Sequence, residues 1–382
     1  MSDTQKHTKP NVPDLRFPGF SGEWERVKLG SLFDIGSSKR VFESQWQSSG
    51  VPFYRTREIV SLINETPFSS PIYIDEKLFN ELIEKYGSIE KGDMLVTGVG
   101  TIGQMYVVPE TNKFYFKDGN VIWFKHNPNV SSQFIKQLFS TNSIITQLHN
   151  NASITTVATY TIDGAKKTIA FIPSKKEQDK IASFLALIDQ RIAIQNKVIE
   201  KYESLIKALA YETIGKYKPN TMLSECVRCS SSTLKESELA EEGAVPAYGA
   251  AGISGFTDSA LSDGESILIT KDGSGVGSLR YVNGPHSFVG TLNSMTPQEG
   301  VYLPYIYYAL QNVCFESYRT GQAIPHIYFK DYGKEAIYCP SFDEQKRLAN
   351  GLEMIDSKVG IERATLQYLH SVKAYLLSAM FI

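Results

Sequence analysis

Two stretches of the chain place apolar residues at alternating steps of four and three. In the first, Ile181, Leu185, Ile188, Ile192, Ile199, Tyr202, Ile206 and Leu209 keep the step, interrupted by Gln195. In the second, Leu348, Leu352, Ile355, Val359, Leu366, Leu369 and Leu376 keep the same phase, interrupted by Glu362 and Lys373. This step is the seam of helices that pack along their length with a left-handed supercoil. Each stretch opens with Pro-Ser (Pro173-Ser174 and Pro340-Ser341) ahead of Glu177 or Glu344, which suits the positive end of a helix dipole. Gly351 and Gly360 cost about 1 kcal/mol each in a helix interior and do not end it. The pattern predicts two long helices, 173–215 and 340–382, that pair with each other.

The stretches are copies of one another. PSKKEQDKIASFLALIDQ returns as PSFDEQKRLANGLEMIDS at an offset of 167 residues without a gap. Pro173/Pro340, Ser174/Ser341, Glu177/Glu344, Gln178/Gln345, Ala182/Ala349, Leu185/Leu352, Ile188/Ile355 and Asp189/Asp356 are identical pairs, and the interruptions at Gln195 and Glu362 coincide.

Ahead of each helix the pattern shortens to strand period. Residues 50–60 read as a strand with a basic tip, 91–108 as strand, glycine loop and strand, and 113–125 as a hairpin turning at Asp118-Gly119. Helices are expected at 76–85 and 131–150, and a strand at 168–172. The later half echoes this loosely: VPAY at 245 answers VPFY at 51, 263–282 answers 91–108, and a helix at 302–318 answers 131–150. The fold class is therefore α+β, a tandem repeat of globule, helix, globule, helix. The expected divisions are a disordered or extended tail over 1–20, a first globule over 21–172, a helix over 173–215, a second globule over 216–339 and a helix over 340–382.

Composition changes this picture little. The 382 residues are 42% hydrophobic and 21% charged, with a net charge of −2. No global basic excess advertises nucleic-acid binding, although clustering matters more than the sum. No run of 18–20 apolar residues is present, so no membrane span is expected. Four cysteines without a secretory leader fit a reducing cytoplasm, and the lone Cys226-x-x-Cys229 pair falls short of the two pairs usual in structural zinc sites.

Chemistry-bearing motifs are scarce. GVGTIG from Gly98 to Gly103 spells a dinucleotide fingerprint, but strand-forming QMYVV follows where a phosphate-binding helix would have to open. KDGSGVG from Lys271 is likewise followed by a strand, SLRYV. These loops read as β-turns, or as places where bare backbone approaches a ligand. Phosphate-loop, HExxH and nucleophile-elbow motifs are absent. Asn127-Pro128 lacks the second proline and the aromatic of an amino-methyltransferase motif. His126, His149, His286 and His326 are dispersed and read as surface or satisfied core groups. Catalysis and metal binding by this chain are not expected.

The doubled Pro-Ser-x-x-Glu-Gln openings, their Ala-x-x-Leu-x-x-Ile-Asp continuations, and the LRFPGFSGEWERVKLG, VPAYGAAGISGF and GDMLVTGVGTIG segments resemble the specificity subunit of type I restriction–modification systems. That resemblance implies a non-catalytic subunit with two target recognition domains, joined by an antiparallel coiled coil and reading a bipartite, asymmetric site in double-stranded DNA. It also implies two modification (methyltransferase) subunits and restriction (translocase and nuclease) subunits as partners. S-adenosylmethionine, ATP and magnesium would sit on those partners and none on this chain. The two glycine loops differ in length and charge, so the globules are not expected to dock alike.

Base edges and phosphates are contacted by cations, amides and hydroxyls. The candidates are Lys39, Arg40, Arg55, Arg57, Thr97 and Thr101 in the first globule, and Lys271, Ser274, Arg280, Arg319 and Gln322 in the second. A helix of about 40 residues spans about 60 Å at 1.5 Å per residue, so the pair would act as a ruler between half-sites. The main rival is a scaffold of two binding modules on a coiled-coil rod that contacts no DNA. An enzyme holding nucleotides in its glycine loops is the other.

Overall fold

Helix forms where the four–three pattern predicts it, over Lys175–Ala210 and Phe342–Met380. The first continues into a π-helical turn at Tyr211–Gly215. The computed structural model describes residues 10–110, 113–150, 159–321 and 324–382. It divides into two units: unit 1 comprises Met1–Ala193 and Gln367–Ile382, and unit 2 comprises Ile194–Leu366. Each unit therefore holds one globule and a portion of both long helices.

In unit 1 the strands Ile35–Gly36, Val121–Phe124, Met94–Thr97 and Met105–Val107 lie side by side in that order, all antiparallel. A second sheet has the order Trp46–Gln47, Ile72–Ile74, Val51–Tyr54 and Tyr115–Phe116, the last pair parallel. A ribbon of Glu25–Lys28 against Ile169–Ile172 leads into the first long helix. Unit 2 repeats this topology. Val227–Ser231, Leu292–Pro297, Ser266–Thr270 and Leu279–Val282 form the antiparallel sheet. Gly252–Thr257, Val245–Gly249 and Ser287–Phe288 form the mixed one, again ending in a parallel pair. Thr221–Met222 against Ala336–Ile337 is the ribbon. The loose sequence echo is thus a duplicated topology, in which only Trp46–Gln47, at the edge of the mixed sheet of unit 1, has no counterpart among the described strands of unit 2.

Three local expectations need correction. The segment 113–125 is not a hairpin. Gly119 does turn the chain, with φ +74°, but Tyr115–Phe116 joins one sheet and Val121–Phe124 the other. Phe114, Tyr115, Phe116, Val121, Ile122, Trp123 and Phe124 are all buried, and each strand takes its backbone partners from distant segments, Tyr115–Phe116 from Phe53–Tyr54 and Val121–Phe124 from Met94–Thr97. The strand expected over 50–60 stops at Tyr54, and Thr56–Ile63 is helix. There the Glu58 carboxylate reaches back to the Arg55 backbone N–H at 3.0 Å and caps the helix. The helix expected over 131–150 is two, Ser132–Leu138 and Asn142–Asn150.

The seam residues are shared between helix pairing and the globule interiors. Ile181, Ala182, Leu185, Leu376 and Met380 belong to the same buried cluster as Trp24, Met94, Phe134 and Tyr160 of unit 1. Ile199, Ile206, Leu352 and Val359 belong to the cluster of Leu223, Ile267, Tyr305 and Tyr332 in unit 2. Ile188, Leu209, Leu348, Ile355 and Leu366 are partly buried against these cores. Within unit 1 the start of the first helix packs with the end of the second, antiparallel, and Lys373 pairs with Asp189 at 2.6 Å. Within unit 2 the Gln195 amide donates to the Glu362 carboxylate at 2.5 Å, and Arg363 pairs with Glu203 at 2.6 Å. From Pro10 onward the chain is extended and packed in unit 1: the Leu15 N–H donates to the Ala379 carbonyl, Phe17 meets Phe184 edge-on, and Trp24 lies against Phe134 and Phe381.

Candidate nucleic-acid interface

Among the identical residues of the two helix openings, Gln178 and Gln345 share two contacts. The Gln178 side-chain carbonyl accepts the Ser131 N–H at 2.8 Å, and its amide donates to the Pro173 carbonyl at 2.9 Å. The Gln345 carbonyl accepts the Tyr302 N–H at 2.8 Å, and its amide donates to the Pro340 carbonyl at 2.8 Å. Ser131 and Tyr302 are the residues just ahead of the equivalent helices Ser132–Leu138 and Leu303–Ala309. Further along, Asp189 accepts from the Gln137 amide at 2.7 Å and Asp356 from the Tyr308 hydroxyl at 3.5 Å. Each globule is pinned to its spacer helix at two points.

Beyond these joints the strands carry loops, and the glycine loops are built alike. In unit 1 the Gly98 N–H donates to the Asn120 carbonyl, and the Tyr160 N–H to the Gly98 carbonyl. In unit 2 the Lys271 N–H donates to the Thr291 carbonyl, and the Ile327 N–H to the Lys271 carbonyl. Gly103 and Gly277 have φ +83° and +85°, and a Cβ there would lie 2.3 Å from Leu148 Cδ1 or 2.6 Å from Phe315 Cβ. Left-handed backbone against a packed side chain requires glycine. The last glycine of each loop is thus explained by turn geometry and packing. A strand follows each loop, as Met105–Val107 and Leu279–Val282.

The candidate side chains fall into two groups. Arg55 and Arg57 converge on Glu58, which is buried: Arg55 Nη2 and Arg57 Nε both reach Glu58 Oε1 at 2.7 Å, and both guanidinium groups also donate to the Ser70 carbonyl. Burial pushes the Glu58 carboxyl up, but the two arginines outweigh it and hold the group below its ordinary range. Thr97 is fully buried; its hydroxyl donates to the Thr101 carbonyl and accepts the Gln104 N–H. Thr97 and Arg55 organise the globule from within, whereas Arg57 holds Glu58 from the surface, with 51% of its side chain exposed.

Of the other described candidates, Lys39, Arg40, Thr101, Ser274 and Arg319 are exposed and Lys271 and Arg280 are half-buried. Lys39 and Arg40 are exposed beside the 117–119 turn: Lys39 Nζ sits 5.1 Å from the Tyr86 ring, and Arg40 pairs with Asp118 at 3.4 Å. Lys85 Nζ lies 5.3 Å from the same ring. Tyr86 and Lys85 were missed because both sit in an ordinary amphipathic helix, and only folding brings them to Lys39. Thr101 and Ser274 are exposed at the loop tips. Arg280 lies 5.9 Å over the Tyr248 ring, and Arg319 pairs with Glu316 at 2.6 Å. Tyr328, also missed, is exposed, with Lys330 at 5.3 Å and the His326 ring at 5.5 Å. Gln322 lies outside the described residues. Cations held over aromatic faces attract anions and offer flat surfaces to bases.

Cys229 faces the Tyr332 hydroxyl at 4.0 Å, and burial pushes its thiol up to about 11. Among the described residues no group of three or more His, Cys, Asp and Glu is placed to hold a metal, and no helix is long and apolar enough to cross a membrane.

A twice-built α+β globule, each copy pinned to the same pair of long helices and presenting loops with cations and aromatic rings, defines a duplicated recognition module. The chain matches the type I restriction modification DNA specificity domain over residues 21–204 and 226–370, and it belongs to that family, whose members confer specificity rather than catalysis. A Haemophilus influenzae protein named as a type I restriction enzyme specificity subunit is 28% identical over 183 residues, 46% of this chain and 42% of the relative. A Mycoplasma genitalium type I specificity subunit is 26% identical over 251 residues, 59% of this chain and 65% of that protein. The chain thus spans less than two thirds of the length of these relatives. Two solved structures share the fold. The type I restriction–modification S subunit from M. genitalium has a TM-score of 0.58 at 20% identity, covering 97% of this chain and 99% of its own. A chain from a structure of the assembly and conformational transition of the type I system has a TM-score of 0.50 at 17% identity, covering 96% and 98%.

Proposed function

We propose that this chain reads a bipartite, asymmetric site in double-stranded DNA, one half with each globule, and directs partner adenine-methyltransferase and restriction subunits to it. The observation that carries the reading is the double match to a DNA specificity domain, on two globules of one topology. Lys39, Arg40 and Thr101 in one globule, and Lys271, Ser274, Arg280 and Arg319 in the other, are the proposed contacts, with Tyr86 and Tyr328 beside them. Arg55 and Thr97 act by shaping the first globule, and Arg57, exposed beside Glu58, is available to contact DNA as well. S-adenosylmethionine, ATP and magnesium belong to the partners in this reading.

The long helices supply a docking face for those partners. Leu187 and Ile194 on the first, and Met354, Ile361, Tyr368 and Tyr375 on the second, are exposed at heptad spacing outside the seam. Leu187/Met354 and Ile194/Ile361 keep the repeat offset, as two copies of one partner require.

Sequencing for N6-methyladenine in cells with and without the chain tests the reading: a bipartite motif that vanishes with the chain is expected. An insertion of four residues into one long helix adds about 6 Å, so the unread gap lengthens by about one to two base pairs at about 3.4 Å each while the half-sequences stay. Methylation unaffected by loss of the chain, with no salt-sensitive DNA binding by its complex, would favour a scaffold that contacts no DNA.

A further inference from the structure

We infer that Gln178 and Gln345 are positioning residues that fix each globule's angle on its spacer helix and thereby set how strictly the length of the unread DNA gap is measured. The inference rests on the reading above and deepens it.

Both side chains are buried. Each closes the same pair of hydrogen bonds: one to a backbone N–H at the start of a globule helix, one to the proline carbonyl ahead of its own helix. A primary amide is suited to this, because it offers an acceptor and a donor on one rigid plane. The second fixed point differs in chemistry, an amide donor on Asp189 and a phenol on Asp356. Gln178 and Asp189 are eleven positions apart, about 16 Å at 1.5 Å per residue, as are Gln345 and Asp356. Two directional bonds that far apart, added to the non-directional packing of Ile181 and Leu185 or of Leu352 between them, hold the orientation more tightly than packing alone. The loops that meet DNA lie on the globule, so a small rotation at the joint becomes a shift of the reading surface. Loss of the glutamine therefore loosens the gap measurement and leaves the bases read unchanged.

The test uses the full chain with its methyltransferase partner and a plasmid library holding the native site and sites with the gap one base pair shorter or longer. Gln178→Met and Gln345→Met keep the side-chain length and remove both hydrogen bonds. Each is expected to lower the ratio of native-gap to shifted-gap methylation by about tenfold, with unchanged half-sequences. Gln178→Glu and Gln345→Glu keep the acceptor, lose the amide donor and are expected to fall between; they decide the matter if the Met variants do not fold. An equal loss at all three gaps, or an unchanged ratio, overturns the inference. If the wild-type chain itself directs methylation to no bipartite site, it is the underlying reading that has failed, and the joint proposal falls with it.

Discussion

Glu177 and Glu344 occupy the same position in the two repeats, yet they live in different surroundings. Glu177 is buried and held by Arg16 through two bonds of 2.7 and 2.8 Å. Glu344 is at the surface and pairs with Arg347 one turn along its own helix. Gln178 and Gln345, one residue on, share two contacts, to a backbone N–H ahead of a globule helix and to the proline carbonyl, and Gln345 adds weaker ones to the Gly300 carbonyl and Cys339 Sγ. The duplication has thus kept the joint between globule and helix while the covering of the joint diverged. An identical residue is evidence of an identical role only where its partners are repeated as well.

The largest expected effect is at this contrast. Arg16→Ala leaves Glu177 as a buried, unpaired carboxylate and should destabilise the chain by about 3–5 kcal/mol in a denaturant melt. Arg347→Ala should leave the melt unchanged, and equal losses from the two variants would break the comparison.

The glycine loops offer the next. Gly277→Ala should destabilise by about 2–4 kcal/mol and Gly103→Ala by less, because Phe315 Cβ is tied to the backbone whereas the Leu148 tip can turn away. Gly100→Ala meets no atom within 4 Å and pays only for its left-handed φ of +78°, about 1–2 kcal/mol.

The two units should also differ with pH. The Glu58 carboxyl is lowered in the fold, so its stabilisation is present above the unfolded value of about 4.3 and is lost as pH falls through the folded value. Asp356 is raised, first by burial and against the opposing pull of Arg363, so its contribution has the opposite sign: it favours the fold at low pH and is lost as pH rises through the folded value. Hydrogen exchange followed peptide by peptide through mildly acid pH should show protection falling around Thr56–Ile63 and not around Leu303–Ala309. Glu58→Gln should flatten the first response.

The smallest effect is expected at the polar interruption. Replacing Gln195 and Glu362 together by leucine should raise the melting temperature, since a polar seam residue trades stability for register; a lower melting temperature would show that the pair stabilises the seam.

Much of this fold was legible beforehand, and for a local reason. The four–three spacing identifies a helix without reference to anything else, and a stretch that returns without a gap at an offset of 167 residues shows that the unit was built twice. The strand–loop–strand segments at 94–107 and 266–282 were legible from β-branched runs bounded by glycine. What failed was pairing between sheets. The turn at Gly119 looked like a hairpin because turn chemistry is local, whereas the choice of sheet for Tyr115–Phe116 and Val121–Phe124 depends on strands as distant in the chain as Val51–Tyr54 and Ile35–Gly36. The candidate surface fared unevenly for the same reason. Lys39 and Arg40 were chosen by residue type and lie at the surface, but Arg55 and Arg57 by type alone look identical to them, and only the fold shows that Glu58 engages both.

Sequence by itself determined the duplication, the two long helices, their matched interruptions and the residues that open them, because periodicity and identity are properties of the chain read in order. Tertiary structure decided that the seam is also the core of each globule, that the repeated glutamines are the joints, and which cations face outward. Those outcomes depend on which distant backbone group meets a side chain, and no spacing along the chain records that.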